Sequence, residues 1–500
     1  MKTLSDDQEA PWRAADAPPA VLHETTRGPL GAPTSGDNSL PLSVDQIVAR
    51  AVRAQHQFAT WNERQIDDVL ERVAESVASA AEDLARYAAD ETGMGNARDK
   101  MMKISFASRT VQQDLRGRLA AGILHPGRRS DIVEIASPVG VVLGLIPVTN
   151  PVATLAFKTL ISLKGRNALI ASCHHRAKDV GRHTAKLIRE ALCAHGAPAD
   201  LVQLSAGGDR ARTACFMRHP DVSLILATGG SSMVKEAYSS GTPTIGVGSG
   251  NAPAWVCADA DIDAAAKMIV RSKSFDNGII CGSENHLIVD SAVYDGFVRA
   301  LQSAGAAVLN PTEARDLTDS VFDPATGSLR GELVGKTASQ ILARAGLWRE
   351  RPIDIVVAPV PRTATDGPWG QEKLAPILPL LRTDDPASAI ALARKILARH
   401  GRGHTAIIHS RDEKVIHEFG LQVEASRILV NSPASQGCIG IGNGLRPSLT
   451  LGSGTMGGTS TTDNVTYTHL LNIRRIALPK PAAVSLDNDR DRDRRTKDKW

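Results

Sequence analysis

The chain has few aromatic residues, no long apolar run and almost no excess of charge. Phe, Trp and Tyr make up 4% of the 500 residues, too few for the stacking platforms on which single-stranded nucleic acids bind. The net charge of +4 is small for this length, and no basic stripe accompanies it, so we expect no nucleic-acid partner. Because no long stretch is continuously apolar, we also expect no membrane-spanning helix.

The cysteines and histidines lack the spacing of a metal site. The six cysteines are scattered without a C-x-x-C pair, which excludes a zinc knuckle and argues against a disulfide framework. His174 and His175 are adjacent rather than at ligand spacing, so no metal is expected. Free thiols, and an N-terminal stretch without the apolar run of a signal peptide, indicate a cytoplasmic protein.

The sequence does contain an alternation of short β-rich runs with helical stripes. Ser43 and Gln46 have the spacing of a capping box and predict the start of the first helix. Such alternation predicts parallel sheets with crossover helices, and therefore an α/β fold of two doubly wound domains meeting near residue 248. The predicted strands of the first series are 139–146, 169–171, 201–204 and 224–228. Those of the second are 245–247, 255–257, 287–289, 355–358, 407–409 and 428–430.

Three segments place reactive or ligand-binding residues beside predicted strands. Asn150 follows the first strand, where it suits either a ligand contact or a helix N-cap. A Gly-Gly-Ser peptide at 229–231 follows the last strand of the first series, where its N–H groups seat an anion or form an ordinary tight turn. Cys281 precedes a glycine between two apolar runs. That setting suits either a nucleophile open to substrate or a small buried side chain.

Together the three segments resemble the aldehyde dehydrogenase superfamily, and more narrowly its CoA-acylating, acetaldehyde dehydrogenase-like branch. The resemblance runs in order from about residue 43 to residue 478. It implies an aldehyde dehydrogenase-like fold of two doubly wound parallel-sheet domains plus a small oligomerisation segment. The stretches that carry it are PVTNPVATLAFKTLISLKGRNALIASCHHRAK, SSGTPTIGVGSGNAPAWV, KSFDNGIICGSENHLIVD, EKLAPIL, GHTAIIHS and PSLTLGSGTMGG.

The resemblance implies covalent catalysis by Cys281. Its thiolate would attack the aldehyde carbonyl, and the Cys281 backbone N–H and the Asn150 side chain would hold the oxyanion. Hydride transfer to a nicotinamide would leave a thioester on Cys281. Because a free cysteine is only a few per cent ionised at neutral pH, the site must favour the thiolate.

The resemblance also separates acylating from hydrolytic enzymes. Hydrolytic members carry a glutamate that activates water, and Gly246 stands in its place here. A thioester without such a base awaits a thiol, and CoA is the expected acceptor. The implied reaction converts a short aldehyde such as acetaldehyde or propionaldehyde, CoA and NAD⁺ to acyl-CoA and NADH, in either direction. Two alternatives stay open. One is a hydrolytic dehydrogenase with a relocated base such as Glu284, and the other is an acylating enzyme for sulfoacetaldehyde or succinate semialdehyde.

Cofactor and pocket positions carry over from the family by motif. NAD is the expected cofactor. NADP stays open as the alternative, because hydrolytic relatives usually place a lysine near the adenosine ribose, where this chain has Ser172-Cys173. The expected cofactor-binding residues are Thr149, Ser172, Gly229, Gly230, Ser231 and Glu372, of which Glu372 matches a glutamate that holds the nicotinamide ribose. The expected substrate-pocket residues are Ile280, Thr455 and Met456.

The resemblance and the composition together divide the chain into five parts. Residues 131–138 are expected to join the oligomerisation strand, so that the enzyme forms a homodimer or homotetramer. The leader suggests an alternative location inside a protein-shelled microcompartment. The parts are a flexible leader (1–42), a dinucleotide-binding domain (43–247), a catalytic domain (248–440), a return segment with the oligomerisation strand (441–478) and a charged disordered tail (479–500).

Overall fold

The structure, a computed structural model, describes residues 42–124, 131–205 and 209–479. The predicted leader and tail lie outside these residues, except for Leu42 and Pro479. The strands are β1 Gly122–Ile123, β2 Ile132–Pro138, β3 Val141–Ile146, β4 Ala168–Cys173, β5 Val202–Leu204, β6 Leu224–Ala227, β7 Thr244–Gly246, β8 Ala252–Val256, β9 Glu284–Asp290, β10 Ala306–Val308, β11 Ile355–Pro359, β12 Ile377–Thr383, β13 Gly403–His409, β14 Ala425–Val430 and β15 Leu471–Ala477.

The helices flank these strands and pack on the sheets. The capping box predicted at Ser43 and Gln46 is confirmed at the start of α1. The helices are α1 Val44–Phe58, α2 Glu63–Ser79, α3 Ala81–Thr92, α4 Ala97–Ser105, α5 Val111–Leu115, α6 Pro151–Lys164, α7 Lys178–Ala194, α8 Arg210–Met217, α9 Ser231–Tyr238, α10 Ile262–Ser274, α11 Tyr294–Ser303, α12 Pro311–Val321, α13 Ala338–Arg344, α14 Pro386–Arg399, α15 Glu413–Gln422 and α16 Ala434–Gly437.

The first sheet has five parallel strands in the order β5-β4-β3-β6-β7. The chain moves outward from β3 to β5 and then returns to add β6 and β7 on the other side. The order therefore reverses between β3 and β6, and ligands of open α/β sheets bind at the carboxyl ends of such strands. Helix α6 begins five residues after the end of β3 and is buried along all 14 of its residues, which fixes the loop before it.

The second sheet has seven parallel strands in the order β10-β11-β12-β9-β8-β13-β14. Strands β8 and β9 lie at its centre and are buried throughout. Strand β9 begins three residues after Cys281, so a rigid central strand anchors the cysteine loop. Two doubly wound parallel sheets confirm the predicted α/β class.

A third, antiparallel sheet of three strands has the order β1-β2-β15. Strand β15 pairs with β2 along seven residues, from Leu471 opposite Pro138 to Ala477 opposite Ile132. The outer strand β15 is largely exposed. Across the described ranges, no helix combines the length and the apolar character needed to cross a bilayer.

Candidate active site

Cys281 lies on a tightly turned loop between α10 and β9. Asp276, Asn277 and Gly278 adopt consecutive positive φ angles of 48°, 54° and 71°, a conformation that costs non-glycine residues energy and occurs mainly where surrounding contacts hold it. Gly250 packs directly on this loop, because a Cβ there would lie 1.6 Å from the Cys281 carbonyl oxygen. Two close backbone segments therefore fix the position of the cysteine.

The thiol of Cys281 is half-buried, and charges of both signs lie near it. Burial and, as a smaller contribution, the negative charge of Glu372 together raise its pKa to about 12. The Arg427 guanidinium and the N–H groups of Cys281 and Gly282 act the opposite way and favour the thiolate. The net effect favours the protonated thiol at neutral pH, so ionisation of Cys281 requires a change in its surroundings.

Asn150 occupies the N-cap position of α6, but its side chain does not make a capping hydrogen bond within the described part of the chain. The amide oxygen instead accepts from the Lys103 ammonium. One amide N–H donates to Thr149 Oγ1 over 3.2 Å. Within the described residues, the second N–H of this amide has no acceptor and is available to a ligand. The sequence allows two interpretations of Asn150, a ligand contact or a helix N-cap. The capping contact is not formed.

A buried ionic cluster, the α4–loop cluster, joins Asn150 to the loop before Cys281. It comprises Lys100 and Lys103 on α4 and Asp276 on the loop. Both ammonium groups contact Asp276 Oδ2, Lys100 at 3.2 Å. Lys100 also donates to the carbonyl of Thr149 at 3.2 Å. The cluster therefore connects the switch point of the first sheet to the cysteine loop of the second domain.

Sequence reasoning missed this cluster. Lys100 and Lys103 are 3% exposed and Asp276 is fully buried. The only signal in the sequence is two lysines three residues apart, which lie on one face of a helix. Such a pair usually faces solvent, so the pattern gives no reason to expect burial.

Three of the predicted cofactor residues, Gly229, Gly230 and Ser231, follow the carboxyl end of β6. The hydroxyl of Thr228, just after β6, is buried and has no hydrogen-bond partner in the described residues. A Cβ on Gly230 would meet open space, and the N-cap of α9 at Gly230 carries no side-chain cap. An unpartnered hydroxyl, open space above a glycine turn and uncapped N–H groups at a helix start fit a dinucleotide phosphate.

Two hydrogen bonds connect the turn before α9 with the region around Cys281. Ser231 Oγ lies 2.8 Å from Ser249 Oγ, and Gly250 N–H donates to Glu372 Oε1 over 3.0 Å. Burial raises the pKa of Glu372 to about 7. The structure thus brings Ser231, Glu372 and Cys281 into one connected region. Thr149 joins the same region through Asn150.

Ser172 lies farther along the same edge of the first sheet. It is on β4, opposite Leu145 of β3, and its hydroxyl lies 2.8 Å from Thr213 Oγ1 on α8. A ligand contact there competes with this bond, so the role of Ser172 in cofactor binding stays a prediction.

The predicted pocket residues take two different settings. Ile280 is 6% exposed and belongs to the apolar core of the second domain. Thr455 and Met456 form a short turn that is exposed or half-buried. This turn follows Ser453, whose hydroxyl would lie 3.0 Å from a Cβ on Gly248. The turn is therefore near the Gly250 contact with Cys281, whereas Ile280 offers little surface to a substrate.

A cavity of about 1470 Å³ lies beside the α4–loop cluster. Lys103, Asn277 and Arg427 line it, together with residues of the edge strand β14. Arg427 is 2% exposed and donates to the Gly452 and Thr462 carbonyls. The volume exceeds that of a typical small-ligand pocket, roughly 300–1,000 Å³.

Gly246 leaves no room for a side chain. A Cβ there would lie 2.7 Å from Tyr238 and 2.8 Å from Val234, and the Gly246 N–H donates to the Tyr238 hydroxyl. The alternative base Glu284 is fully buried and both of its oxygens accept hydrogen bonds, from Ser272 Oγ at 2.5 Å and from Ala434 N–H at 3.0 Å. Neither position presents a carboxylate that is free to activate water.

Two doubly wound parallel sheets, with a cysteine loop linked to the switch point of the first, define a two-domain α/β protein of the nucleotide-binding class. The chain belongs to the aldehyde dehydrogenase family, whose model matches residues 20–320. The family membership expected from the sequence is thereby confirmed.

Comparison with individual proteins gives closer relatives. The bifunctional aldehyde-alcohol dehydrogenase of Escherichia coli (strain K12) is 38% identical over 439 residues, which cover 87% of this chain and 49% of the relative. The chain thus spans about half the length of this and similar curated relatives. The acylating sulfoacetaldehyde dehydrogenase of Cupriavidus necator is 35% identical, covering 92% of this chain and 95% of the relative.

One solved structure adds a ligand-bound relative. The Rhodopseudomonas palustris propionaldehyde dehydrogenase, solved with bound CoA and an acylated cysteine, is 28% identical with a TM-score of 0.79. The match covers 87% of this chain and 97% of that one.

Proposed function

We propose that the chain oxidises a short aldehyde with NAD⁺ and transfers the acyl group to CoA, in a reversible reaction. At the two described positions that are expected to supply a carboxylate for water activation, none is free. This observation carries the proposal. Gly246 is too crowded for any side chain, and Glu284 is occupied on both oxygens. The acylated cysteine of the R. palustris relative supports the same chemistry.

Cys281 is the proposed nucleophile. Its thiolate forms a C–S bond to the carbonyl carbon while the π electrons move to the carbonyl oxygen. The Cys281 N–H and the free N–H of Asn150 donate to that oxyanion, and losing one such donor typically costs roughly 10²–10³ in rate. Collapse of the oxyanion restores the carbonyl and releases hydride, which leaves a thioester on Cys281. A bound nicotinamide supplies the hydride acceptor.

The second half-reaction returns the enzyme to its starting state. The CoA thiolate attacks the thioester, and the C–S bond to Cys281 breaks as acyl-CoA forms. The balanced reaction is aldehyde, CoA and NAD⁺ to acyl-CoA, NADH and one proton. Arg427 favours the thiolate of Cys281 and thereby makes it a better leaving group.

Most of the residues proposed to hold the cofactor follow the carboxyl ends of β3 and β6, and Glu372 lies before β12 of the second sheet. Gly229, Gly230 and Ser231 would bind the phosphates through N–H groups at the start of α9, where the helix dipole favours anions. Glu372 would hold the nicotinamide ribose, and Thr149 would line the nicotinamide side. NAD remains the proposed cofactor, with NADP as the alternative to be tested.

A short uncharged aldehyde is the proposed substrate, with acetaldehyde or propionaldehyde first. A second candidate is an anionic aldehyde, which the C. necator relative favours because it matches this chain over nearly its whole length. Arginines line the cavity beside the site, among them Arg98, Arg271 and Arg427, and they are the basic groups available to an anionic substrate. A panel of acetaldehyde, propionaldehyde, succinate semialdehyde and sulfoacetaldehyde, compared by kcat/KM, separates the two candidates.

A homo-oligomer is proposed from the third sheet. All three of its strands expose a large apolar side chain, Ile123 at 50%, Ile132 at 47% and Ile476 at 49% of full exposure, and contiguous apolar patches are uncommon on monomers. Free cysteines at all six positions support a reducing compartment, so we place the enzyme in the cytoplasm. Encapsulation in a protein shell is the alternative.

The test measures NADH formation from acetaldehyde and NAD⁺ with and without CoA, with the product identified by mass. We expect sustained turnover only with CoA, giving acetyl-CoA, and no turnover in Cys281→Ser. Cys215→Ser, which changes an exposed cysteine, is the matched control and should keep its activity. Sustained turnover without CoA that yields free acid would contradict the acylating assignment.

A further inference from the structure

We propose that Lys103 is a positioning residue that orients the Asn150 amide toward the oxyanion and fixes it relative to the cysteine loop. The inference rests on the proposed function, because it concerns the acylation step at Cys281. It assigns a role to a lysine that no motif marks.

The contact itself determines the orientation of the amide. An ammonium group only donates hydrogen bonds, so the atom of Asn150 that faces Lys103 must be the oxygen. The amide nitrogen consequently points away from Lys103. One of its protons meets Thr149 Oγ1, and the other is presented to the site. Without Lys103, the amide can rotate so that either its N–H group or its oxygen faces the substrate. The second orientation places an acceptor against the oxyanion.

Lys103 is itself held in place. Its side chain is 2% exposed, and its ammonium contacts Asp276 as well as Asn150. Asp276 in turn accepts the Asn96 N–H at 2.8 Å through its other oxygen, and its own N–H donates to Asp99 at 2.7 Å. Aspartate at this positive-φ position is thus held by bonds to both its side chain and its backbone.

The same ammonium therefore spans the two parts of the site. Asn150 follows β3 of the first sheet, whereas Asp276 lies five residues before Cys281 on the loop of the second domain. Because one ammonium group is bonded to both Asn150 and Asp276, it sets the distance between them. A cation on the amide oxygen also polarises the amide and makes its N–H groups stronger donors.

Lys100 provides a matched control. It is equally buried, lies one helical turn before Lys103 and contacts the same Asp276 oxygen. It bonds the backbone carbonyl of Thr149 rather than the amide of Asn150. We expect removal of Lys100 to disturb the cluster and the fold to a similar degree, while leaving the contact that orients the Asn150 amide.

The experiment is a pair of double-mutant cycles on the single-turnover rate of NADH formation from acetaldehyde. The variants are Lys103→Met, Lys100→Met and Asn150→Ala, with Asn150→Ala combined with each lysine change. We expect Asn150→Ala to slow the burst roughly 10²-fold or more and Lys103→Met to slow it at least roughly tenfold. Lys103→Met/Asn150→Ala should be no slower than Asn150→Ala alone. In the Lys100→Met cycle, the two effects should multiply.

Binding and folding are measured beside the rate. The Kd for NAD⁺ and the unfolding midpoint are expected to change equally in Lys103→Met and Lys100→Met, so a purely structural role gives equal burst rates. Lys103→Arg keeps a buried cation and should recover part of the burst. If Lys103→Met does not fold, the Lys103→Arg cycle with Asn150→Ala carries the same comparison.

The outcomes separate the inference from the proposed function. Acyl-CoA formation by the unmodified enzyme decides the proposed function alone. With that activity present, multiplying effects of the Lys103 and Asn150 changes overturn the positioning role. An Asn150→Ala burst at the unmodified rate overturns it as well, because no oriented amide would then be needed.

Discussion

At the scale of single residues, Cys281 stands between charges of opposite sign. Arg427 lowers the pKa of the thiol, and Glu372 raises it, in addition to the larger effect of burial. Burial also raises the pKa of Glu372 to about 7, so its carboxylate opposes the thiolate mainly above that pH. The reactivity of the cysteine should therefore respond in opposite directions to changes at these two positions.

We predict that Arg427→Met slows the alkylation of Cys281 by iodoacetamide and that Glu372→Gln accelerates it, each by roughly tenfold at pH 8. Removal of a nearby cation disfavours the thiolate, and removal of a nearby carboxylate favours it. The measurement is the labelling rate of the Cys281 peptide by mass spectrometry between pH 7 and 9.

The chain supplies its own controls for this experiment. The exposed thiols of Cys193 and Cys215 should label at unchanged rates in every variant. Arg402→Met removes a surface arginine that pairs with Glu424 and should leave Cys281 labelling as it is. Equal shifts at all three cysteines would show a general effect of charge rather than a local one.

A second residue-scale prediction concerns the turn before α9. We expect Gly230→Ala to keep the fold, because a Cβ there meets open space and φ is −63°, and to weaken NAD⁺ binding by roughly tenfold or more because that space is the proposed phosphate seat. Calorimetric titration measures the Kd. Gly420→Ala on α15 also adds a Cβ in open space and should bind NAD⁺ normally. Unchanged affinity in Gly230→Ala would place the phosphates elsewhere.

At the scale of elements, the first residue of β9 makes stability depend on pH. Burial raises the pKa of Glu284 to about 7 from 4.5. The folded state therefore keeps a proton that the unfolded chain loses. The resulting stabilisation of the folded state is complete below pH 4.5 and is lost as the pH rises to about 7.

We predict that Glu284→Gln removes this dependence. Relative to the unmodified enzyme, the variant should gain stability between pH 5 and 7 and then remain constant, with a total change of about 3 kcal/mol. Denaturant unfolding at pH 5, 6, 7 and 8 measures the difference, and subtraction cancels other groups such as Glu372. A difference that does not vary with pH would mean that Glu284 ionises normally.

Sequence patterns identify some elements better than others. Strands such as β3 and β6 are short apolar runs between clear helices, so their existence follows from composition. Strand β12 was not predicted, because Pro379 lies in its middle and proline removes a ladder donor. Strand β10 has the sequence Ala-Ala-Val, and alanine gives no strand signal. Tertiary pairing with β11 supports both strands.

The residues of the candidate site also differ in how well sequence patterns identify them. Cys281, Asn150 and the glycine turn lie in local motifs that sequence can display. The ion pair of Lys103 with Asp276 joins residues 173 positions apart, and burial of Gly250 against Cys281 depends on the packing of two strand-end loops. Such long-range contacts leave no periodic signal in a single sequence, because each partner alone has the composition of a loop or a solvated helix face.

At the scale of the whole molecule, three sheets have different exposures. The two parallel sheets are enclosed by helices, whereas the antiparallel sheet β1-β2-β15 carries exposed apolar side chains such as Ile476. Strand β14 is likewise an outer strand of its sheet, with Val430 at 38% of its full exposure. Exposed edges of this kind favour association with a further strand.

We therefore predict that Ile476→Lys lowers the oligomeric state. A charge on the exposed face of β15 opposes burial in an interface, so the mass measured by light scattering after size exclusion should fall toward one chain. Leu421→Lys is the control: Leu421 is 88% exposed but lies on α15, away from the third sheet, and its mass should not change. An unchanged mass in Ile476→Lys would remove this sheet from the proposed interface.

The pairing of β15 with β2 also bears on how the chain is made. Arg475 and Glu134 bond across these strands although 341 residues separate them. At ribosomal rates of about 5–20 residues per second, β2 emerges on the order of half a minute before its partner exists. During that interval its second edge is open to other nascent chains, and aggregation competes with folding. Slower elongation should thus reduce the yield of active enzyme, and a chaperone that shelters β2 until β15 arrives should restore it.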